Sequence, residues 1–538
     1  MARDYNEFTS DEYAIAVLHN NDEVDEYLDT LDYPKKDSDI DNDDGCGECR
    51  TYDGNPVHTL LKTKISCPLT IVQEMDYVDS AFRDTFYNYY SSKHNCPERN
   101  CIRLSIFNQE LKLEDFICGK EMDKRAKLQD GFVGTIILRP FKYNYVGKVL
   151  LDPSKLKTGE MYVRTTTFDV EVLGNILTIN AYPFSGQDVE FMTCAETSIW
   201  TILQYYGTRY PEYRVILPSE IFKVVDAYHP ERCLPSTGLN FLQKSTVLKN
   251  FGFSPKSYNI NVYKDQLKNI LHYYVESGIP VAMSLNRHAV VCIGHGEAEL
   301  KSTDCKYVDD IELDFKLIDS ASFFQKYVII DDNRVPYAID TYDKLKTNLI
   351  IVPLHKRIFL DALDARSIAI HTLKALNDVL TKCLEEYTHE GKIINPLVMR
   401  LFLTSSRKYI AVRSANSVSP NEASIYINLK CPKFVWVCEI SNKKLYNDHK
   451  IIGEIVMDAT AHPTASDCWE SLLAIRLGQS FAFRTPGQSL RDLCDALLKP
   501  AEPTESDAEG YLLTVEGLNS FYPQYINNLK HINYQREV

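Results

Sequence analysis

The sequence predicts an α+β fold: a core whose helices come first and whose antiparallel sheet follows, flanked by a β-rich N-terminal domain and a mixed α/β C-terminal domain. Three observations predict it. Residues 58–180 hold runs dense in β-branched and aromatic residues, such as GFVGTIILRPF and GNILTINAYPF, divided by Gly, Pro and Asp. Residues 186–277 carry apolar residues near helical spacing instead. Past Gly278 the period changes to short apolar runs, IPVAMSL, HAVVCIGHG, DFKLIDS and KYVIIDDN, which read as buried strands.

A chain of 538 residues suits several domains of about 100–200 residues each. The composition shifts place boundaries at 1–57, 58–180, 181–353 and 354–538. The first segment is acidic: residues 1–45 hold fifteen Asp and Glu against Arg3, Lys35 and Lys36. That local balance of −12 leaves only −3 of the net −15 for the rest. SDEYAIAVLHN reads as a short helix, and the Asp-dense stretch after it as largely disordered. No basic footprint for nucleic acid is present. No apolar run approaches the roughly 18 residues of a membrane span, and the opening residues do not read as a secretory signal. These features predict a cytoplasmic protein that acts on neither nucleic acid nor membranes. The acidic segment and the 354–538 unit are the candidate surfaces for a partner protein.

Fifteen cysteines in a chain of this kind read as thiols, metal ligands or catalytic groups rather than disulfides. Cys46 and Cys49 in GCGEC, with Cys96 and Cys101 in HNCPERNC, are a candidate four-thiolate zinc site. The plainer reading of the same four is ordinary loop thiols. Within 58–180, IVQEMDYVDSAFRDTFYNYYSS has a helical pattern between the strand-like runs. MYVRTTTFDVEVL adds another strand region ahead of residue 181.

The core opens on GQDVEFMTCAETSIWTILQYYG, residues 186–207. Ala195, Ile199, Trp200, Ile202, Leu203 and Tyr206 mark a helix. Thr193 and Glu196 form a capping box, which makes Thr193 the N-cap, Cys194 the first helical residue and Gly207 the stop. A thiol there meets unpaired backbone N–H groups and the positive end of the helix dipole, which favour thiolate. A buried structural cysteine is the bland alternative. SEIFKVVDAYHP, the stretch around NFLQKSTVLKNFGF, and VYKDQLKNILHYYVESG read as three further helices.

A cysteine nucleophile needs a base, an orienting group for that base, and donors for the oxyanion. His288 begins the run HAVVCIG, at a sheet edge where it can meet a helix N-terminus. His295, at the far end of the same run, ranks below it. Asp331 and Asp332 end the strand YVII, and a carboxylate there can fix the imidazole tautomer. Because successive strand residues face opposite sides, only one of the two is expected to do so. Paired Asp at a strand end also serves simple turn formation. Gln187 can offer its amide to the oxyanion beside the Cys194 N–H.

In this order the pieces resemble the papain-like cysteine peptidases, closest to the branch that trims bacteriocin leader peptides. The matching motifs are Gln187, Cys194, QYYG at 204–207, NFGF at 250–253, GIPV at 278–281, HAVVCIG at 288–294 and VIIDD at 328–332. The resemblance covers about a third of the chain. It implies a papain-like core, Cys194 as nucleophile, His288 as base, Asp332 rather than Asp331 as orienter, and Gln187 at the oxyanion hole. Ala195 departs from the usual Gly after the nucleophile, and Asn333 from the Pro that often follows the aspartate. The Gln-to-Cys gap is one residue longer than in papain. The implied activity is peptide-bond cleavage through an acyl-enzyme. Transglutaminase- or deamidase-like transfer on Gln side chains would use the same set, and an inactive papain-like interaction module is the reading outside catalysis.

Beyond the core, RSIAIHTLKALNDVLTKCLEEY reads as a helix. KYIAVRS, SIYINLK, FVWVCEIS and IIGEIVMDATA read as strands. WESLLAIRL and LRDLCDALL read as helices of a separate α/β unit without an assigned role.

Overall fold

The computed structural model describes residues 6–9, 12–31, 56–119, 121–296, 306–309, 311–383, 388–389, 392–393, 396–417, 420–462, 468–478, 480–484, 497, 512–514, 519–520, 522 and 526–527. Within them the fold is mixed α+β with several antiparallel sheets. No helix among the described residues is long and apolar enough to cross a membrane.

The central sheet positions everything else. Its strands run in the spatial order Phe253–Asn259, Leu349–His355, Val281–Ser284, Ala289–Gly296, Lys326–Ile330 and Ala338–Thr341, all antiparallel. Its residues alternate between two cores, as a pleated sheet requires. Ala282, Val291, Ile293, Val328 and Ile330 pack into the core formed with the helices Cys194–Arg209, Pro218–Tyr228 and Phe241–Asn250. Val281, Met283, Val290, Cys292 and Ile329 face the other way, onto the helix Gln266–Glu276 and the C-terminal sheet. This two-sided burial explains why these strands read as continuous apolar runs rather than alternating ones.

The N-terminal sheet has seven strands, the outer two from the acidic segment: Asn6–Thr9 and Tyr13–Leu18 pair in series onto Leu69–Tyr77. The expected helix over SDEYAIAVLHN is thus a strand, with residues 14–18 buried. The following helix, Asn21–Thr30, is capped by the Asn20 side chain and buries Val24 and Tyr27, so residues 12–31 are not an unstructured tail. The remainder of that tail, with Cys46 and Cys49, lies outside the described residues. The helical reading of IVQEMDYVDSAFRDTFYNYYSS splits as well. Leu69–Tyr77 is a strand paired on both sides, and the helix starts only at Ser80, where Asp79 caps it.

The expected domain boundaries are crossed by single strands. Met161–Val163 leaves the N-terminal region to pair with the end of Ala289–Gly296. Leu317–Asp319 leaves the core and joins the C-terminal sheet, parallel to Leu397–Ser405. That sheet continues antiparallel through Phe434–Asn442, Gly453–Asp458, Leu472–Leu477 and Ser480–Phe483. The 354–538 unit therefore shares its core with the central sheet and is not separate. Three local readings there are reversed. KYIAVRS and the first five residues of SIYINLK lie in the helices Ser406–Ala415 and Pro420–Asn428, because their apolar residues have one surface to cover rather than two. LLAIRL is a strand buried between two others. The helix read over LRDLCDALL lies, apart from Leu497, outside the described residues.

Candidate active site

The cysteine helix starts where its sequence places it. Cys194 is its first residue, and the Glu196 carboxylate accepts the Thr193 N–H at 3.2 Å and the Thr193 hydroxyl. The other Glu196 oxygen accepts from Ser236 Oγ at 2.5 Å. Burial raises the Glu196 carboxyl, against the pull of those two hydroxyls. The helix does not stop at Gly207 but runs to Arg209. Gly207 serves close approach instead: a Cβ there would lie 2.4 Å from the Arg214 carbonyl oxygen.

The loop from Gln187 to Cys194 is held by a residue the sequence did not flag. Asp188 Oδ1 accepts the backbone N–H groups of Glu190, Phe191 and Met192 at 3.1, 2.7 and 2.8 Å. Arg139 backs this turn, donating to the Gln187 carbonyl at 2.8 Å. Val189, inside it, has φ of 61°, a conformation that strains a β-branched residue. A second strained residue, Arg287 with φ of 60°, immediately precedes His288. Such strain at the approaches to both reactive side chains is what a surrounding structure sustains at functional sites.

His288 lies just ahead of the strand Ala289–Gly296, in the turn after Val281–Ser284. Its Nε2 meets Asp331 Oδ1 at 2.8 Å and Asp332 Oδ1 at 3.6 Å. Both carboxylates reach the imidazole because the strand ends at Ile330, so strand alternation no longer separates them. Asp331 makes the hydrogen bond; the resemblance had favoured Asp332. Nδ1 is buried and has no hydrogen-bond partner among the described residues. Burial lowers the imidazole pKa, but the hydrogen bond to Asp331, the interaction with Cys194 and the charges of both aspartates overcome this and hold it up at about 10. Burial pushes Asp332 up to about 7, the His288 charge pulling the other way.

Asn333 closes the chain. Its backbone N–H donates to Asp331 Oδ1 at 3.0 Å, and its side-chain Oδ1 accepts from Gln187 Nε2 at 2.8 Å. A proline at this position could do neither. His288, Asp331, Asn333 and Gln187, drawn from three distant stretches, form one hydrogen-bonded arrangement, with which Cys194 interacts through His288. No protein-family model matches the chain, and a search of curated proteins finds no match.

His295 belongs elsewhere. Its Nε2 lies 2.9 Å from Glu276 and its ring stacks on Tyr162. Among the described residues, His288, Asp331 and Asp332 are the group whose ligand atoms lie close enough together, within 4.8 Å, to hold a metal ion. For His288 to ligate through Nε2 it would have to surrender its bond to Asp331. Of the candidate zinc ligands, Cys96 is exposed, while Cys101 is buried and its thiol is pushed by burial up to about 12. That environment favours thiol over the thiolate that zinc takes. Beside the start of the cysteine helix opens a polar cavity of about 490 Å³, lined among others by Glu196, His229, Arg232, Ser236, Asn240 and Gln243.

Proposed function

We propose that the protein is a thiol-dependent hydrolase with a papain-like core, a cysteine peptidase that cleaves a peptide or protein substrate through an acyl-enzyme. The observation that carries this reading is His288, whose Nε2 meets the Asp331 carboxylate at 2.8 Å and whose imidazole interacts with Cys194. That arrangement has the parts of a nucleophile, a base and an orienting acid, with the nucleophile at a helix N-terminus.

Cys194 Sγ attacks the substrate carbonyl carbon as thiolate, with His288 as imidazolium. The carbonyl electron pair moves to oxygen, where the Cys194 N–H and the Gln187 amide stabilise it. Collapse breaks the C–N bond, and the His288 proton passes to the leaving amine. His288, now neutral, takes a proton from water, whose oxygen attacks the thioester. The second collapse regenerates the thiol. Asp331 keeps the imidazole in the tautomer that offers Nδ1 to sulfur, and the neighbouring cavity suits a polar substrate segment.

Labelling with a thiol-directed probe at about pH 6 tests this, where few ordinary thiols are ionised. Cys194 labels faster than the other cysteines, and the Cys194→Ala and His288→Ala variants lose that fast labelling. If Cys194 reacts no faster than its neighbours, or His288→Ala changes nothing, the reading fails. Mass spectrometry of treated substrate proteins then distinguishes the acceptor: new termini indicate peptidase, while deamidation or crosslinks at Gln indicate transfer.

A further inference from the structure

Lys244 is the unexplained charge in this cleft. It shares a face of the helix Phe241–Asn250 with Val247 and Leu248, which are fully buried, and is itself only 6% exposed. Its Nζ donates to Ser284 Oγ at 3.1 Å and makes no ion pair with any described residue. Ser284 ends the strand that turns back at His288 and pairs with Ala289. The ammonium thus crosses from the helical layer to the sheet layer at the level of the imidazole. Removing an ammonium from water without a carboxylate partner is unfavourable by several kcal/mol, so a buried lysine of this kind marks a place where an anion is expected.

The charged groups around the cleft identify that anion. The cysteine helix contributes Cys194 and Glu196, the end of the strand Lys326–Ile330 contributes Asp331 and Asp332, and the turn before Ala289 contributes His288. Burial pulls the Lys244 pKa down, and the groups that pull it back up are Cys194 first and Glu196 second. Glu196 already has Thr193 and Ser236 as donors. A thiolate at Cys194 would add a negative charge to a cleft that holds three carboxyl groups and one imidazole.

We propose that Lys244 is a positioning residue for the nucleophile: its ammonium supplies, from the helical layer, the second positive charge that lets the Cys194 thiolate persist among these carboxyl groups. The proposal rests on Cys194 being the nucleophile. It also assigns a use to the one lysine on the buried side of that helix, where a further apolar residue would otherwise be expected.

The test is the pH dependence of Cys194 alkylation by iodoacetamide in the full chain, read by peptide mass spectrometry. The variants are Lys244→Met, Lys244→Gln and Lys244→Arg. Loss of the charge moves the acid limb upward by about one pH unit, which is roughly tenfold slower alkylation at about pH 6. Lys244→Arg restores the wild-type limb. Lys244→Gln retains a donor for Ser284 without the charge, so it carries the test if Lys244→Met fails to fold. An unmoved limb in the uncharged variants overturns the proposal. So does an unmoved limb accompanied by weaker binding of acidic substrates, which would make Lys244 a receptor for a substrate carboxylate. If wild-type Cys194 reacts no faster than the other cysteines, the nucleophile reading itself has failed and Lys244 falls with it.

Discussion

The central sheet carries a buried charge cluster on each side, and the two are built on opposite rules. On the C-terminal side, Arg400 bonds Glu276 at 2.7 Å and Glu439 at 2.6 Å, and Arg413 bonds Glu439 at 2.6 Å and Glu454 at 2.7 Å. Tyr409 and Tyr426 each donate to Glu454 at 2.9 Å. Burial works against every one of these ions, yet Arg400 and His295 hold Glu276 well below the usual carboxylate range. Burial keeps the adjacent His272 neutral by pulling it down to about 3. Both shifts carry the group away from the neutral range. At the Cys194 site burial instead moves Asp332 up to about 7, into the neutral range, while His288 is held up at about 10, which keeps it the imidazolium that a thiolate pairs with. Buried charge that is locked to arginine joins the 181–353 and 354–538 segments; buried charge left titratable is what a proton-transferring site requires.

The sharpest way to break this contrast is to remove the nucleophile. Cys194→Ala is expected to abolish fast labelling and turnover, on the order of 10⁴-fold or more, while leaving the denaturant midpoint close to wild type. A large loss of stability would place Cys194 among the structural cysteines. Asp331→Asn comes next, with a drop of roughly 10²–10⁴ in turnover. It also carries a pH signature. Because the folded His288 value lies above the unfolded value of about 6.5, its pairing contributes fully below that pH and is lost as pH rises toward about 10. The stability gap between wild type and Asp331→Asn should close across that window, as measured by urea unfolding at a series of pH values.

On the other side of the sheet the expected pattern inverts. Arg413→Met leaves Glu454 buried without the Arg413 guanidinium and Glu439 with Arg400 in its place, a loss of about 3–5 kcal/mol. Cys194 labelling at low denaturant should be unaffected. If labelling falls in proportion to stability, the two clusters are coupled rather than independent.

The fold and the site were legible to different degrees, for physical reasons. The capping box at Thr193 and Glu196 and the change of period after Gly278 are local, and both are found where the sequence puts them. KYIAVRS and Tyr13–Leu18 were misread because their period is decided by what lies across from them: helix against one sheet face in the first, a strand partner 57 residues away in the second, where Ile15 meets Val72. The partners of His288 were named, but the choice between them was not available, since it depends on the strand ending at Ile330. Asn333 stood out only as a departure from proline. Lys244 left a readable trace, a charge at the i−3 and i−4 positions to Val247 and Leu248, but that trace alone does not say which anion it faces. Asp188 left none, because Asp in a polar loop is ordinary.

The smallest effect separates the two aspartates. Burial pushes the folded Asp332 carboxyl up to about 7, whereas in the unfolded chain it ionises near 4. Between those values the folded state binds more protons than the unfolded one, so this group makes stability fall as pH rises from about 4 to about 7, and the effect is level above that. Asp332→Asn removes the titration. It should therefore gain on wild type across the same window, by on the order of 1–3 kcal/mol at the upper end, while losing less turnover than Asp331→Asn. Equal stability differences at pH 4 and pH 8 would mean Asp332 is ionised throughout, held so by His288 at 3.6 Å. A greater loss of turnover for Asp332→Asn than for Asp331→Asn would make Asp332 the orienting acid and Asp331 the turn residue, and the titratable cluster would then contain one proton-exchanging carboxylate fewer than its geometry indicates.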